Sequence, residues 1–135
     1  MEIAAVYKNN MYFEATADGL VVGMDALPEH GGQGQGILPK QLVLAGLAGC
    51  TGMDVVSILK KMRQSWQEFQ IKVNAEKSTT HPIVFTKVHI KYIFKGVELD
   101  KEKVEKAVRL SQEQYCGVGA MLRKATEISW EIEYQ

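Results

Sequence analysis

The chain has 135 residues, and its 16 basic and 16 acidic side chains leave no formal net charge. It therefore lacks the basic field that binding to nucleic acid or an anionic membrane surface requires. This length can bury a hydrophobic core without disulfide or metal staples and predicts one domain over residues 1–135. The opening Met1-Glu2-Ile3-Ala4-Ala5-Val6-Tyr7-Lys8 shows no secretory pattern, which predicts a cytoplasmic protein.

In chain order, Ile3, Ala5 and Tyr7, then Tyr12 and Phe13, flank the turn-like Lys8-Asn9-Asn10, and Asp18-Gly19 precedes Leu20-Val21-Val22. This alternation punctuated by turns predicts a β-meander. From Asp25 to Gly36, Pro28, Glu29, His30 and four glycines predict a mobile connection with no regular element. Pro39 suits the first position of a helix, and the apolar spacing through Leu42, Ala45, Leu47, Val55, Ile58, Leu59 and Met62 carries that helix to Arg63. Its first half is apolar around most of its circumference, the pattern of a central helix covered on several sides. The least polar run, Leu42 to Met53, ends at Asp54 and is too short to cross a bilayer, which takes about 20 residues.

Ile71, Val73 and Ala75, then Val88, Ile90, Tyr92 and Phe94, alternate with polar residues on either side of a turn at His81-Pro82, predicting a half-buried hairpin. Asp100 is placed to cap a helix from Lys101 to Gln114, with Val104, Ala107, Val108 and Ser111 at helical spacing and Glu102 and Lys106 on the wet side. A short helical piece follows Gly117, and Ile128, Trp130, Ile132 and Tyr134 alternate with Ser129, Glu131 and Glu133 in a last strand. The sum is a mixed α+β fold of order β-β-β-α-β-β-α-α-β.

Two cysteines carry the chemistry that the sequence offers. Cys50 lies in Leu47-Ala48-Gly49-Cys50-Thr51-Gly52-Met53 and Cys116 in Gln114-Tyr115-Cys116-Gly117. In a reducing compartment such a pair is catalytic, redox-sensing or merely buried, and the residues alone leave all three open. Cys50 is about three turns into its helix, beyond the reach of the helix dipole, and Asp54 on the same face disfavours a thiolate. Cys116 directly precedes a helix and receives its N–H groups, which predicts the more acidic thiol. Gly46, Gly49 and Gly52, spaced three apart, let another element approach the Cys50 region closely. No pair among Cys50, Cys116, His30, His81 and His89 has a short metal-ligand spacing, so no metal is expected. His89 reads as a solvated strand residue, and Trp66, Trp130, Tyr92 and Phe94 read as core or interface. His30 beside Glu29 in the glycine-rich loop reads first as surface.

The segment Leu38-Pro39-Lys40-Gln41-Leu42-Val43-Leu44-Ala45-Gly46-Leu47-Ala48-Gly49-Cys50, with Cys116 ahead of a short helix, resembles the OsmC/Ohr family, the osmotically inducible and organic hydroperoxide resistance proteins. The resemblance implies an intertwined homodimer and thiol-dependent reduction of organic hydroperoxides. Cys50 would attack and Cys116 would resolve, with an external dithiol as reductant and no cofactor or metal. The family's N-terminal arginine and its paired glutamate are not matched: the first arginine is Arg63 and the acidic position reads Lys40. Arg109, Arg123 or a residue of a partner subunit are the candidate cations, and Glu29, His30 and Asp54 are accessory candidates. The alternatives to a peroxidase are a non-catalytic protein binding a hydrophobic small molecule at the dimer interface and a redox sensor.

Overall fold

The computed structural model describes every residue, Met1–Gln135, in two compact units, Met1–Leu44 and Ala45–Gln135. In the first unit, β1 (Ala4–Asn9), β2 (Tyr12–Ala17) and β3 (Leu20–Met24) form an antiparallel meander in the order β1-β2-β3. Its second turn needs left-handed backbone at both central positions, and Asp18 (φ 50°) with Gly19 (φ 80°) supplies it. Ile3, Tyr7, Leu20 and Val21 of this unit are exposed.

The expected mobile loop is instead pinned. The Asp25 carboxylate, 3% exposed, accepts N–H bonds from Ala26, Gln33 and Gln35, which hold it below the usual carboxylate range. A 3-10 turn spans Pro28–His30, and Met24 and Ile37 form a parallel bridge. Gly32 is required by close approach, because a Cβ there would overlap the carbonyl of Ala26. Composition suggested mobility because it cannot show a buried side chain collecting distant backbone donors.

The second unit contains a mixed sheet in the order β4-β5-β6, with β4 (Glu68–Lys77) antiparallel and β6 (Glu127–Tyr134) parallel to the central β5 (Phe85–Lys95). Alternation puts Val88, Ile90, Tyr92 and Phe94 on the buried face, where Phe69 stacks on Phe94 at 4.3 Å. On the other face His89 is held by Ser129 at 2.8 Å and Glu131 at 3.6 Å, so it is half-exposed and partnered. The Asp100 cap forms as expected, accepting from the N–H groups of Glu102 and Lys103. Helix α2 (Lys101–Leu110) ends sooner than its periodicity suggests, because Ser111–Tyr115 winds as a π-helical turn. Helix α3 (Gly117–Leu122) follows at once.

Helix α1 (Pro39–Lys61) opens where the Leu38 N–H donates to Gln41 Oε1 and closes where Arg63 turns left-handed (φ 56°) and Gln64 N–H reaches back to the Leu59 carbonyl. Its 23 residues follow the predicted helix to within two positions, and by length and composition alone it could cross a membrane, although its apolar run from Leu42 to Met53 read as too short to do so. Leu47, Thr51, Val55 and Leu59 form one fully buried stripe at four-residue spacing. The expectation of cover on several sides is not met within the chain: Val43 is 41% and Met53 76% exposed.

Candidate active site

Helix α1 presents Cys50 and Asp54 one turn apart, and the turn between the π-helical segment and α3 presents Cys116. These residues, remote in sequence, converge: the two sulfurs and a carboxylate oxygen of Asp54 all lie within 4.8 Å of one another. Both cysteines are free thiols, Cys50 half-buried and Cys116 buried at 2% exposure. The pair is thus divided by access, with Cys50 nearer solvent and Cys116 behind it.

Cys116 does cap α3, accepting the Gly119 N–H at 3.3 Å. Its acidity nevertheless runs opposite to the sequence expectation. Burial above all, and then the neighbouring Cys50 and Asp54, raise its pKa to about 11, with the Gly119 N–H offsetting only part of the rise. Local helix geometry favoured a thiolate, and tertiary desolvation wins.

Behind the sulfurs lies a polar network that the sequence reading missed. Ser111 Oγ donates to Asp54 Oδ2 at 2.9 Å. With that proton committed, the Thr51 hydroxyl donates to Ser111 Oγ at 2.8 Å and the Tyr92 hydroxyl donates to Thr51 Oγ1 at 2.6 Å. The Gln112 amide donates to Tyr92 at 2.5 Å and to Thr51 at 3.2 Å, and Arg123 donates to the Gln112 carbonyl oxygen. Every donor therefore points the same way, from the Arg123 cation to the Asp54 carboxylate, an arrangement in which successive bonds polarise one another. Burial raises the Tyr92 pKa, which keeps its hydroxyl a donor. The available signal was polar residues at core positions: Thr51 interrupts the apolar stripe of α1, and Ser111 continues that of α2.

Arg123 therefore belongs to the surroundings of the site: its guanidinium lies 3.5 Å from where a Cβ on Gly119 would sit, and Gly119 holds the Cys116 sulfur. Arg109 does not; it pairs with Glu105 and Glu113 and lies over Trp130. Glu29 and His30 are exposed in the first unit and are not members of the three-residue cluster. Of the three spaced glycines, only Gly52 meets a neighbour, Ile71 Cδ1 at 2.9 Å from a built Cβ; around Gly46 and Gly49 nothing lies within 4 Å.

A mixed α+β chain that brings two free thiols together beside a capped short helix defines a class of cysteine-site proteins. The family-wide sequence pattern described as OsmC-like protein matches residues 32–131, and the chain belongs to the OsmC-like family. It is 39% identical to Protein YhfA of Escherichia coli K12 over 95 residues, covering 70% of this chain and 71% of that protein. A hypothetical protein from Aquifex aeolicus superposes with a TM-score of 0.83 at 29% identity, covering 99% of this chain and 96% of that one. An organic hydroperoxide resistance protein OsmC from Legionella pneumophila shares the fold, with a TM-score of 0.72 at 21% identity over 98% of this chain and 95% of that one.

Proposed function

We propose that this protein is a thiol-dependent reductase of organic hydroperoxides, cytoplasmic and homodimeric, with Cys50 as the attacking thiol and Cys116 as the resolving one. The observation that carries this reading is the convergence of the two sulfurs with unequal access, Cys50 half-buried and Cys116 at 2% exposure. An entering peroxide meets Cys50 first. The Cys50 thiolate attacks the O–O bond, takes the terminal oxygen as a sulfenic acid, and the alkoxide leaves and is protonated to an alcohol. The Cys116 thiol then displaces water from that sulfenic acid to form the disulfide, and an external dithiol returns both sulfurs to thiols by exchange. Each turnover moves two electrons from the dithiol to the hydroperoxide.

The homodimer is supported by apolar side chains that this chain leaves uncovered: Ile3, Tyr7, Leu20 and Val21 on the meander, and Val43 and Met53 on α1. Residues 1–135 then act as one functional domain completed by its copy. The deciding assay is hydroperoxide consumption with a small dithiol as reductant. Wild-type protein turns over and Cys50→Ser does not; activity surviving that substitution refutes the assignment. Cys116→Ser reacts once and accumulates the sulfenic acid.

One observation favours a second reading, binding of a hydrophobic small molecule without turnover. Gly49, Gly52, Met53, Val56, Phe69 and Ile71 line an open, apolar depression of about 380 Å³ on the α1 face. Thiols unaltered by hydroperoxide, together with an apolar molecule carried through purification and seen by mass spectrometry, would select it.

A further inference from the structure

We propose that the reduced site is also a metal site, in which a soft divalent cation of the zinc class binds the sulfurs of Cys50 and Cys116 and one oxygen of Asp54. In a tetrahedral sphere two ligands about 2.3 Å from the ion are about 3.8 Å apart, so three donor atoms that lie within 4.8 Å of one another need close by no more than about 1 Å to hold it. Two sulfurs and a single oxygen select a zinc-class ion over magnesium or calcium, which take all-oxygen sets. Three protein ligands leave the fourth tetrahedral position open.

The contacts around the three residues are those a bound ion requires. Ser111 donates to Asp54 Oδ2 and fixes the carboxylate, and no hydrogen bond occupies Oδ1. Gly119 N–H donates to the Cys116 sulfur at 3.3 Å, a bond that persists when the sulfur becomes a ligand. Asp54 takes part in none of the ion pairs of the chain, so its charge beside two thiols has no protein cation in contact. The Arg123 guanidinium is committed to Gln112. Spacing among cysteines and histidines alone predicted no metal, because the third ligand is an aspartate one helical turn from Cys50.

Binding is a proton exchange: two thiol protons pass to solvent for each ion taken up, and two sulfur–metal bonds replace two S–H bonds. Release rests on the hydroperoxide reading; binding does not. When a hydroperoxide oxidises the pair, the two thiolates lose two electrons and join as a disulfide. The peroxide and two protons become alcohol and water, and the ion departs because a disulfide is a poor ligand. The metal then holds the reduced pair and is discharged by its oxidation.

The test is titration of the reduced full-length protein with Co²⁺, a coloured substitute for zinc. One ion per chain, with sulfur-to-cobalt charge-transfer absorption displaced by Zn²⁺, is the expected result. Cys50→Ser and Cys116→Ser each remove that absorption, and Asp54→Ala raises the dissociation constant on the order of tenfold to a hundredfold. Thermal melts without metal identify any variant that fails to fold, and Asp54→Asn, of equal size, decides the question if Asp54→Ala does. Absence of the charge-transfer band in wild type, or wild-type affinity in Asp54→Asn, overturns the metal site. Hydroperoxide consumption by chelator-treated protein reads the other proposal separately. Addition of tert-butyl hydroperoxide to the cobalt form releases one ion per disulfide, and an ion retained with its absorption intact overturns the release step.

Discussion

Thr51 shows how much one hydroxyl can organise. On α1 it occupies a position that Leu47, Val55 and Leu59 fill with hydrocarbon, and it gathers Tyr92, Ser111 and Gln112 around a single oxygen. Buried polar atoms must be partnered, and here the partnering sets the direction of donation through five side chains to Asp54. Tyr92→Phe removes one link while Thr51 and Gln112 keep their other partners. It should lower stability to chemical denaturation by about 1–2 kcal/mol, near the worth of one buried hydrogen bond. A loss within experimental error would mean that the hydroxyl contributes nothing net. At this scale the cysteines were legible because sulfur chemistry narrows the roles a residue can have. The network was not, because Thr51, Tyr92 and Ser111 are ordinary core-facing residues until coordinates join them.

The elements were the most readable level, since periodicities of 2 and 3.6 reflect which face is buried. The reading failed where a tertiary partner, absent from the local pattern, decides. Asp25 tethers a loop whose glycines suggested freedom, and the π-helical turn interrupts α2 where the periodicity ran on to Gln114. That turn brings Ser111 and Gln112 inward together, an arrangement that regular α winding, with consecutive residues about 100° apart, does not provide as readily. On α1 the uncovered glycines permit a sharp test. A side chain at Gly49 meets nothing within 4 Å inside its own chain. Gly49→Val should therefore leave the monomer folded, with a gain of a few tenths of a kcal/mol, about 0.3, through helix propensity. It should also impair dimer assembly where a second chain packs there. Sedimentation of the variant as an intact dimer would remove Gly49 from the interface.

For the whole molecule, the two sulfurs act as a potential clasp between α1 and the segment after α2. Closing it by hydroperoxide ties together residues far apart in sequence, and the loop so closed is long enough to stabilise the fold by about 4 kcal/mol through the unfolded chain. Oxidised protein should melt higher than reduced protein, with the difference abolished in Cys116→Ser. Equal melting temperatures would show that no intramolecular disulfide forms or that forming it strains the site. What the sequence could not convey at this scale is whether α1 is covered, because its apolar surface reads the same whether its own chain, another chain or solvent lies against it.

The parallel pairing of β6 with β5 has a consequence for synthesis. β6 is made after the five other strands and the three helices, yet it lines one whole flank of the central strand of its sheet, from Lys87 to Phe94. Until translation reaches those codons the nascent chain carries an unprotected β5 edge, the kind of surface that recruits chaperones or other strands. A premature stop anywhere in β6 should therefore yield insoluble or degraded protein while sparing both cysteines.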